Sequence, residues 1–419
     1  MNVINIVQCS ICGAKTNIKT QLGYVNDFYI FVPCLGCKSI INGKCHLEPP
    51  KCFFDFDCKV VTNDDIYDFD YYSECSSELV VCKPKTLANK EETHNPIFFK
   101  NISLIGKNMN KNPFNLVGQY VNCVKNEWNK NRNLILLYIN GKYDLMFKML
   151  EGDKAKSKGN LVFYKHQLYR KTFKLFFHIP SYNLNNVAKE IEKQFSNLDI
   201  TQIDEIIKVM NQKYYFNELN TKLLDITSKI VDKIPYITPG LFAQFFEKKI
   251  DYNEFGISTC TPDQIVDIYK DCYETIAIMI PILEMLNNIK YRGKYDSYTN
   301  KKRDIEKSIS DTNGNKIKSL NYYELFSSLF CKKLDNCIRN SIGHNNYIYD
   351  PITQKITFKD KKVEKEMYLI EFVTECIYII LTLINMENLF FCLERRKSNI
   401  DEENSGNFLT ECKQKDKNN

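Results

Sequence analysis

The stretch CIRNSIGHNNYIYD, residues 337–350, contains the change of pattern that decides the fold of the C-terminal half. Up to Ile342 the apolar residues recur at intervals of three and four, which is the spacing of one face of a helix. Gly343 supplies a usual helix stop, and from Tyr347 the pattern alternates with a period of two. The stretch therefore predicts a helix that ends near Gly343 and is followed by a β-hairpin over residues 347–360.

Three long helices are predicted around this junction. The first begins where Thr261 and Gln264 form a capping box around Pro262, and it runs to about residue 289. The second covers residues 321–342. The third covers residues 364–392 and has only a narrow stripe of polar side chains, so it is expected to be buried on most sides.

The N-terminal part has a different character. Nine of the 17 cysteines fall within residues 1–82, and short β-rich runs are found at residues 28–32, 134–139, 143–150 and 172–179. The fold class is therefore α+β, with an N-terminal β-rich region followed by an all-α helical bundle that carries the inserted hairpin. The predicted divisions are a zinc ribbon at 1–60, a β-rich region of unknown role at 61–183, a helical connection at 184–259, the helical domain at 260–394 and a mobile charged tail at 395–419.

Composition limits the environment and the partners. With 44% hydrophobic and 26% charged residues the chain is expected to be globular. The most apolar run, residues 376–384, is bracketed by Glu371, Glu375 and Glu387 and falls short of the roughly 18 to 20 apolar residues that a membrane span needs. The first residues do not resemble a signal peptide, so a cytoplasmic, reducing environment is expected despite the many cysteines. A net charge of +6 permits a nucleic-acid partner but does not require one.

Two Cys-x-x-Cys pairs, Cys9 with Cys12 and Cys34 with Cys37, are separated by 21 residues that include a predicted strand. This spacing predicts a tetrahedral four-thiolate zinc site. Because protein ligands would fill all four positions, the metal would be structural and not catalytic. The alternatives are four free cysteines or a redox pair. The remaining N-terminal cysteines have irregular spacings, and we interpret them as small buried hydrophobic residues in preference to a second site.

Arg339 and His344 stand five positions apart at the predicted end of the second helix. On an ideal helix their side chains would point about 140° apart, but a left-handed turn at Gly343 would bring His344 back toward the last turn. The carbonyl groups at a helix end favour a protonated imidazole, and arginine presents a fork that matches phosphate. The alternative is that the two side chains only cap the helix.

The sequence Arg339-Asn340-x-x-x-His344 at a helix end, followed by another long helix, resembles the HEPN superfamily over roughly residues 260–394. The paired cysteine knuckles resemble the zinc ribbons fused to abortive-infection members of that superfamily. The resemblance implies a homodimer that cuts RNA without a catalytic metal and serves in phage defence or a toxin system. It also implies that Arg339 stabilises the phosphorane, that His344 transfers protons at the 2'-hydroxyl or the leaving oxygen, and that Asn340 orients the histidine or the phosphate.

A basic and aromatic run at residues 165–174 is a further candidate for contact with RNA. Such a composition suits stacking on bases and pairing with phosphates, although it is also typical of the solvated face of an edge strand. No P-loop, nucleophile elbow or zinc-peptidase motif is found. The alternatives to a nuclease are a zinc-ribbon protein that binds nucleic acid without cutting it and a scaffold that binds other proteins. The residues of this run proposed to contact RNA are Lys165, Tyr169, Arg170, Lys171 and Lys174.

Overall fold

The computed structural model of the chain describes residues 1–61, 65–107, 112–150, 158–213, 215–300, 302–320, 323–332 and 334–415. It confirms the α+β class, because an N-terminal strand-rich part is followed by a helical part that contains one further small sheet. The strands of the first part are β1 (Asn2–Gln8), β2 (Lys15–Gln21), β3 (Asp27–Pro33), β4 (Ile40–Glu48), β5 (Lys51–Phe56), β6 (Lys59–Val61), β7 (Tyr71–Ser76) and β8 (Val81–Cys82).

The first two strands form the centre of a four-stranded sheet of order β6-β1-β2-β7, in which β2 and β7 are parallel and the other pairs antiparallel. Strands β3, β4 and β5 form a separate antiparallel sheet. In β3 the side chains of Phe28, Ile30 and Val32 are buried while Tyr29 is exposed, so the predicted strand at 28–32 is confirmed with its expected alternation.

The helical part begins earlier than predicted. Its elements up to the capping box are α1 (Ile97–Ile105), α2 (Pro113–Ile139), α3 (Tyr143–Met149), α4 (Lys158–Thr172), α5 (Leu184–Ser196), α6 (Ile200–Gln212), α7 (Tyr215–Ala243) and the short strand β9 (Phe255–Gly256), which pairs with β8. The elements that follow are α8 (Val266–Arg292), α9 (Ile305–Ser310), α10 (Asn313–Ser319), α11 (Asn336–Gly343), β10 (Tyr347–Asp350), β11 (Lys355–Asp360), β12 (Val363–Tyr368) and α12 (Leu369–Lys415).

The strands predicted at 134–139, 143–150 and 172–179 are therefore wrong. These runs lie at the end of α2, in α3, and across the end of α4 and the short 3₁₀ helix that follows it. In α2 the buried residues Val117, Val121, Val124 and Trp128 follow helical spacing, and residues 134–139 only continue that face. An apolar run of six to eight residues is too short to reveal its period, which explains the error.

The first of the three predicted helices is confirmed. Thr261 and Gln264 form the capping box, and a 3₁₀ turn over Pro262–Gln264 leads into α8. The second was predicted too long, because the described part of residues 323–335 contains only a 3₁₀ turn before α11 begins; residues 321, 322 and 333 lie outside the described part of the chain. Phe326 has a positive φ of 61°, which interrupts a right-handed helix.

Polar side chains of α12 take the place of helical hydrogen bonds in this segment. Asn385 donates to the carbonyl oxygen of Leu329 at 3.1 Å, and Thr382 accepts from the backbone amide of Cys331 at 3.4 Å. The polar stripe predicted on the third helix thus satisfies the irregular chain that packs on it.

The predicted hairpin is confirmed and has a third strand, since β10, β11 and β12 form an antiparallel sheet. Residues 364–368 were predicted to be helical but lie in β12, where Met367 is buried and pairs with Ile356. The helix begins instead at Leu369, and Glu371 accepts a hydrogen bond from the amide of Tyr368 at 2.8 Å. The predicted mobile tail is helical as far as Lys415, and residues 416–419 lie outside the description.

Helix α12 forms the centre of the helical part. Its segment Leu369–Asp401 is long and apolar enough to cross a membrane, but 94% of its most apolar window is buried inside the protein, as in the core helix of a soluble protein. It packs against α4, α5, α7 and α8. One continuous cluster of buried apolar residues extends from the N-terminal sheets to α12, so the strand-rich and helical parts share a core.

Candidate functional site

The two cysteine knuckles meet in space. The sulfur atoms of Cys9, Cys12, Cys34 and Cys37 all lie within 4.8 Å of one another, with 3.7 Å between Cys9 and Cys37 and 3.5 Å between Cys12 and Cys34. A tetrahedral metal ion with metal–sulfur bonds of about 2.3 Å requires sulfur atoms about 3.8 Å apart. The cluster therefore fits a structural metal ion that has four thiolate ligands and no open position.

The backbone of each knuckle is a tight turn after a strand. In the first, Gly13 donates to the carbonyl oxygen of Cys9 at 3.0 Å and has a φ of 77°, which a glycine adopts without strain. In the second, Lys38 donates to the carbonyl oxygen of Cys34 at 2.8 Å and itself has a φ of 63°. Strands β1 and β3 thus deliver the first cysteine of each pair, and the turns deliver the second.

The thiols differ in acidity. Although burial raises the pKa of Cys9, hydrogen bonds from Ser39 and from the backbone amides of Cys12 and Ile11 outweigh it and lower that pKa to about 6. Burial raises the pKa of Cys34 to about 12. Metals bind thiolates. The lowered pKa favours the thiolate of Cys9 at neutral pH, whereas Cys34 must release its proton to solvent when the metal binds. Among the residues that the structure describes, no second group of three or more metal-ligating side chains comes together.

The second candidate site is the C-terminal end of α11. Arg339 is 27% exposed and donates from Nη2 to Oε1 of Glu274 in α8 at 2.9 Å. Its Nη1 donates to Oδ1 of Asn340 at 3.2 Å, whereas its Nε is buried without a partner in the described chain. The guanidinium also lies beside the last turn, since Nη1 is 3.8 Å from the point where a Cβ on Gly343 would stand. Arg339 is therefore oriented by α8 toward the end of its own helix.

Asn340 is oriented in turn by the small sheet. Its Nδ2 donates to Oδ2 of Asp360, the last residue of β11, at 2.8 Å. Its Oδ1 accepts from Arg339, so both ends of the carboxamide are fixed. Asn340 thus contacts Arg339 and Asp360, whereas the resemblance gave it the role of orienting the histidine or the phosphate.

His344 is placed differently from the prediction. Gly343 is the last helical residue and does not take a left-handed conformation; that conformation belongs to Asn345, with a φ of 51°. The amide of His344 caps the helix by donating to the carbonyl oxygen of Asn340 at 3.0 Å. Its imidazole is exposed, and among the described residues it has no hydrogen bond to Arg339 or to Asn340. Within one chain the histidine shares the helix end with the other two residues, but among the described residues its imidazole forms no hydrogen bond with them.

Glu274 and Asp360 are parts of this site that the sequence analysis missed. They lie 65 residues before Arg339 and 20 residues after Asn340, and no local spacing connects them to the motif. The available signal was the predicted order of the elements. The helix with the motif stands between the first long helix and the hairpin, and these two elements provide the two carboxylates.

The run 165–174 does not form the predicted RNA-binding surface. It lies in α4 and the turn after it, and Lys165 and Tyr169 are buried, so neither can contact RNA in this conformation. Lys165 donates to Asn220 at 2.6 Å and forms an ion pair with Glu394 of α12. The prediction came from the composition of the run alone, which does not show that helical spacing turns Lys165 and Tyr169 inward. The outward residues are Arg170, which donates to Asn185 at 2.6 Å, Lys174, which pairs with Glu127 at 3.4 Å, and the exposed Lys171.

The geometry thus gives one closed cluster of thiols and one open helix end with a cation, a fixed amide and an exposed imidazole. Comparison of the chain with family models, with curated proteins and with solved structures gives no match in any of the three.

Proposed function

We propose that the protein is a metal-independent endoribonuclease whose site is formed by Arg339, Asn340 and His344. The observation that carries this proposal is that a single helix end presents an oriented guanidinium, an amide fixed from both sides and an imidazole open to solvent. Phosphate-ester cleavage needs a fixed positive charge and a group that transfers protons near neutral pH, and these residues supply both.

In the proposed reaction the 2'-hydroxyl oxygen of the RNA attacks the adjacent phosphorus atom. A neutral His344 takes the hydroxyl proton, Arg339 binds the charged oxygens of the phosphorane, and the bond to the 5'-oxygen breaks. A protonated imidazole gives its proton to that leaving oxygen. The products are a 2',3'-cyclic phosphate and a 5'-hydroxyl, and no metal takes part in any step.

The proposed active form is a homodimer. One chain offers one exposed imidazole, which forms no hydrogen bond with Arg339 or Asn340 in the described chain, whereas the reaction uses both a base and an acid. Two copies of the α11 end facing each other would supply both protonation states from two His344 side chains. A role in phage defence or in a toxin system follows only from the resemblance to the HEPN superfamily.

We assign zinc to the four-cysteine cluster and give it a structural role. Four thiolates at tetrahedral spacing suit zinc, and the closed site leaves no position for substrate. Zinc would fix the two knuckles relative to each other and so stabilise the N-terminal sheets.

The test is cleavage of single-stranded RNA by the purified protein in EDTA. We expect wild type to cut and to leave 2',3'-cyclic phosphate ends. We expect Arg339→Ala and His344→Ala each to lower the rate by about 10²–10⁴, because each removes charge stabilisation or proton transfer from the transition state.

Arg395→Ala and His178→Ala are matched controls, because both residues are exposed and remote in sequence from the motif. They should retain the wild-type rate. Cleavage that survives in both Arg339→Ala and His344→Ala would show that the site has been assigned wrongly.

A second function is favoured by the ion pair between Arg339 and Glu274. The carboxylate offsets part of the positive charge of Arg339 that would stabilise the phosphorane. In that case the protein binds nucleic acid without cutting it, and the helical part serves for dimerisation. Saturable RNA binding without any cleavage, in EDTA or with added divalent metal, would support this function over the first.

A further inference from the structure

A cleft of about 990 Å³ lies between α8 and the segment that follows it, and none of its lining residues belongs to either site described above. Its walls come from the second half of α8, from residues 298–300 with Arg303, and from α10. The volume lies at the upper end of the about 300–1,000 Å³ typical of small-molecule sites. Its lining residues carry amides, hydroxyls and charged groups, and the carbon atoms of their side chains add apolar surface between these groups.

The floor of the cleft is a preformed ion-pair network. Arg303 donates from Nε and Nη2 to the carboxylate of Glu284, at 3.2 and 2.5 Å, and from Nη1 to Asp311 at 3.0 Å. Glu284 is buried and also accepts a hydrogen bond from Ser308. These carboxylates use three of the five N–H donors of Arg303 and hold its guanidinium in place, so Arg303 is a preformed part of the cleft.

The charge available to a ligand comes from the rim. Arg292 donates to Asn288 at 2.7 Å and to the hydroxyl of Thr299, and Lys318 is exposed. Neither forms an ion pair with any carboxylate in the described part of the chain. The cleft therefore has two cations at its rim whose charge is not neutralised.

Two polar atoms in the wall have no hydrogen-bond partner among the described residues, the Oδ1 atom of Asn287 and the hydroxyl of Tyr298. Asn287 is only 5% exposed, and its buried Oδ1 atom accepts no hydrogen bond from the described residues. A buried acceptor of this kind is stabilised when a ligand or a water donates to it. The side chains of Asn300, Tyr298 and Tyr323 also line the cleft.

From this combination we infer that the cleft binds a nucleoside phosphate, either as a free nucleotide or as one unit of an RNA strand. Arg292 and Lys318 match a phosphate group. Carboxamides present the paired donors and acceptors that read the edge of a base, and tyrosine rings offer a surface on which a base stacks. The preformed floor means that little reorganisation is needed on binding.

This site is distinct from the end of α11. Glu274, the partner of Arg339, and Asn288, at the cleft, are both in α8 and 14 residues apart, which corresponds to about 21 Å along the helix axis. The inference does not depend on the nuclease proposal, because its test is binding and needs no cleavage.

The experiment measures binding to the full-length protein by titration calorimetry. The probes are AMP, GMP, CMP and UMP, inorganic phosphate, and a single-stranded RNA with 2'-O-methyl groups, which cannot undergo attack by a 2'-hydroxyl. We expect saturable binding of at least one nucleotide or of the RNA. We expect Arg292→Ala combined with Lys318→Ala to weaken it at least tenfold, since both phosphate contacts are lost.

Lys290→Ala combined with Lys307→Ala is the matched control, because these lysines are exposed and do not line the cleft. It should bind as wild type does, and circular dichroism should show that both double variants are folded. Binding of mononucleotides identifies a free nucleotide as ligand, whereas binding of the RNA alone identifies a unit of the strand. The inference is overturned if no probe binds, if inorganic phosphate binds as tightly as the nucleotides, or if the Arg292 and Lys318 double variant binds like the control.

Discussion

The four-cysteine cluster and the end of α11 differ in how much of each site one stretch of sequence provides. The cysteine cluster uses two knuckles from residues 9–37, and its four sulfur atoms satisfy a tetrahedral metal without help from the rest of the chain. The end of α11 depends on Glu274 from α8 and on Asp360 from β11 to orient two side chains, and its exposed imidazole has no partner in the described chain.

This difference separates a structural site from one suited to chemistry. A closed site with every ligand supplied contributes its binding free energy to folding and has no capacity left for substrate. An open site has charge and proton-transfer capacity that the fold does not use. We therefore expect changes in the cluster to affect stability and changes at the helix end to affect RNA.

The largest expected effect tests the structural side of this comparison. Cys9→Ser combined with Cys34→Ser removes one ligand from each knuckle and should abolish stoichiometric metal. Unfolding free energy should fall by as much as about 10 kcal/mol, the scale on which structural zinc stabilises small modules. Elemental analysis and denaturant titration measure the two losses.

Cys52→Ser combined with Cys123→Ser serves as the control, because neither residue belongs to the cluster. It should retain one metal ion per chain and change stability by about 1 kcal/mol or less. If the variant of Cys9 and Cys34 keeps one zinc per chain, the cluster is not the metal site and the comparison fails.

A smaller effect concerns the loop that joins the two knuckles. Oε1 of Glu78 accepts from the backbone amides of Tyr24 and Val25 at 2.6 and 2.9 Å, in the connection between β2 and β3. Burial raises the pKa of Glu78 from 4.5 to about 7, and its Oε2 has no partner in the described chain. Between pH 4.5 and 7 the carboxyl of Glu78 is ionised in the unfolded state but keeps its proton in the folded state. Its contribution to the unfolding free energy therefore falls as the pH rises through this range.

Glu78→Gln removes this titration while keeping an acceptor for the loop. The unfolding free energy of the variant relative to wild type should therefore rise by about 1 to 3 kcal/mol between pH 4.5 and 7 and stay constant above pH 7. Denaturant unfolding at several pH values measures this change, and any pH-independent effect of the substitution cancels. Glu48→Gln, at an exposed position with no ion pair in the described chain, is the control for the change of residue type. A difference for Glu78→Gln that does not vary with pH would mean that the buried carboxyl is ionised in both states.

The sequence predicted the cluster fully and the helix end only in part. The ligands of the two knuckles lie within one short stretch of sequence, so their spacing can be recognised without knowing the surrounding fold. Tertiary contacts that orient Arg339 and Asn340 join residues 20 to 65 positions apart, and no periodic signal encodes such contacts. The position of His344 was also predicted from a glycine in the left-handed region, whereas the chain uses Asn345 for that turn.

The errors in secondary structure have a related cause. Residues 134–139 and 172–179 were interpreted as strands because their short windows contain apolar and aromatic residues, but the first run continues the buried face of α2 and the second spans the end of α4 and the 3₁₀ helix after it. Helix 321–342 was predicted from spacing alone, yet the polar side chains of α12 stabilise an irregular backbone there. In both cases packing against a distant element decided the conformation.

The smallest expected effect tests the open side of the comparison. Glu274→Gln removes the negative charge beside Arg339 but leaves a carboxamide oxygen that can accept the hydrogen bond now made at 2.9 Å. Since the pair is partly exposed, protein stability should change by about 1 kcal/mol or less. RNA binding should become tighter by about 0.3 to 1 kcal/mol, because Arg339 keeps its orientation while its charge is no longer offset. Fluorescence anisotropy with a 2'-O-methyl RNA measures this gain, which should shrink as salt is added. Glu48→Gln changes the net charge equally at an exposed residue of β4. Equal affinity gains in the two variants would mean that only net charge matters and that RNA does not bind at the α11 end.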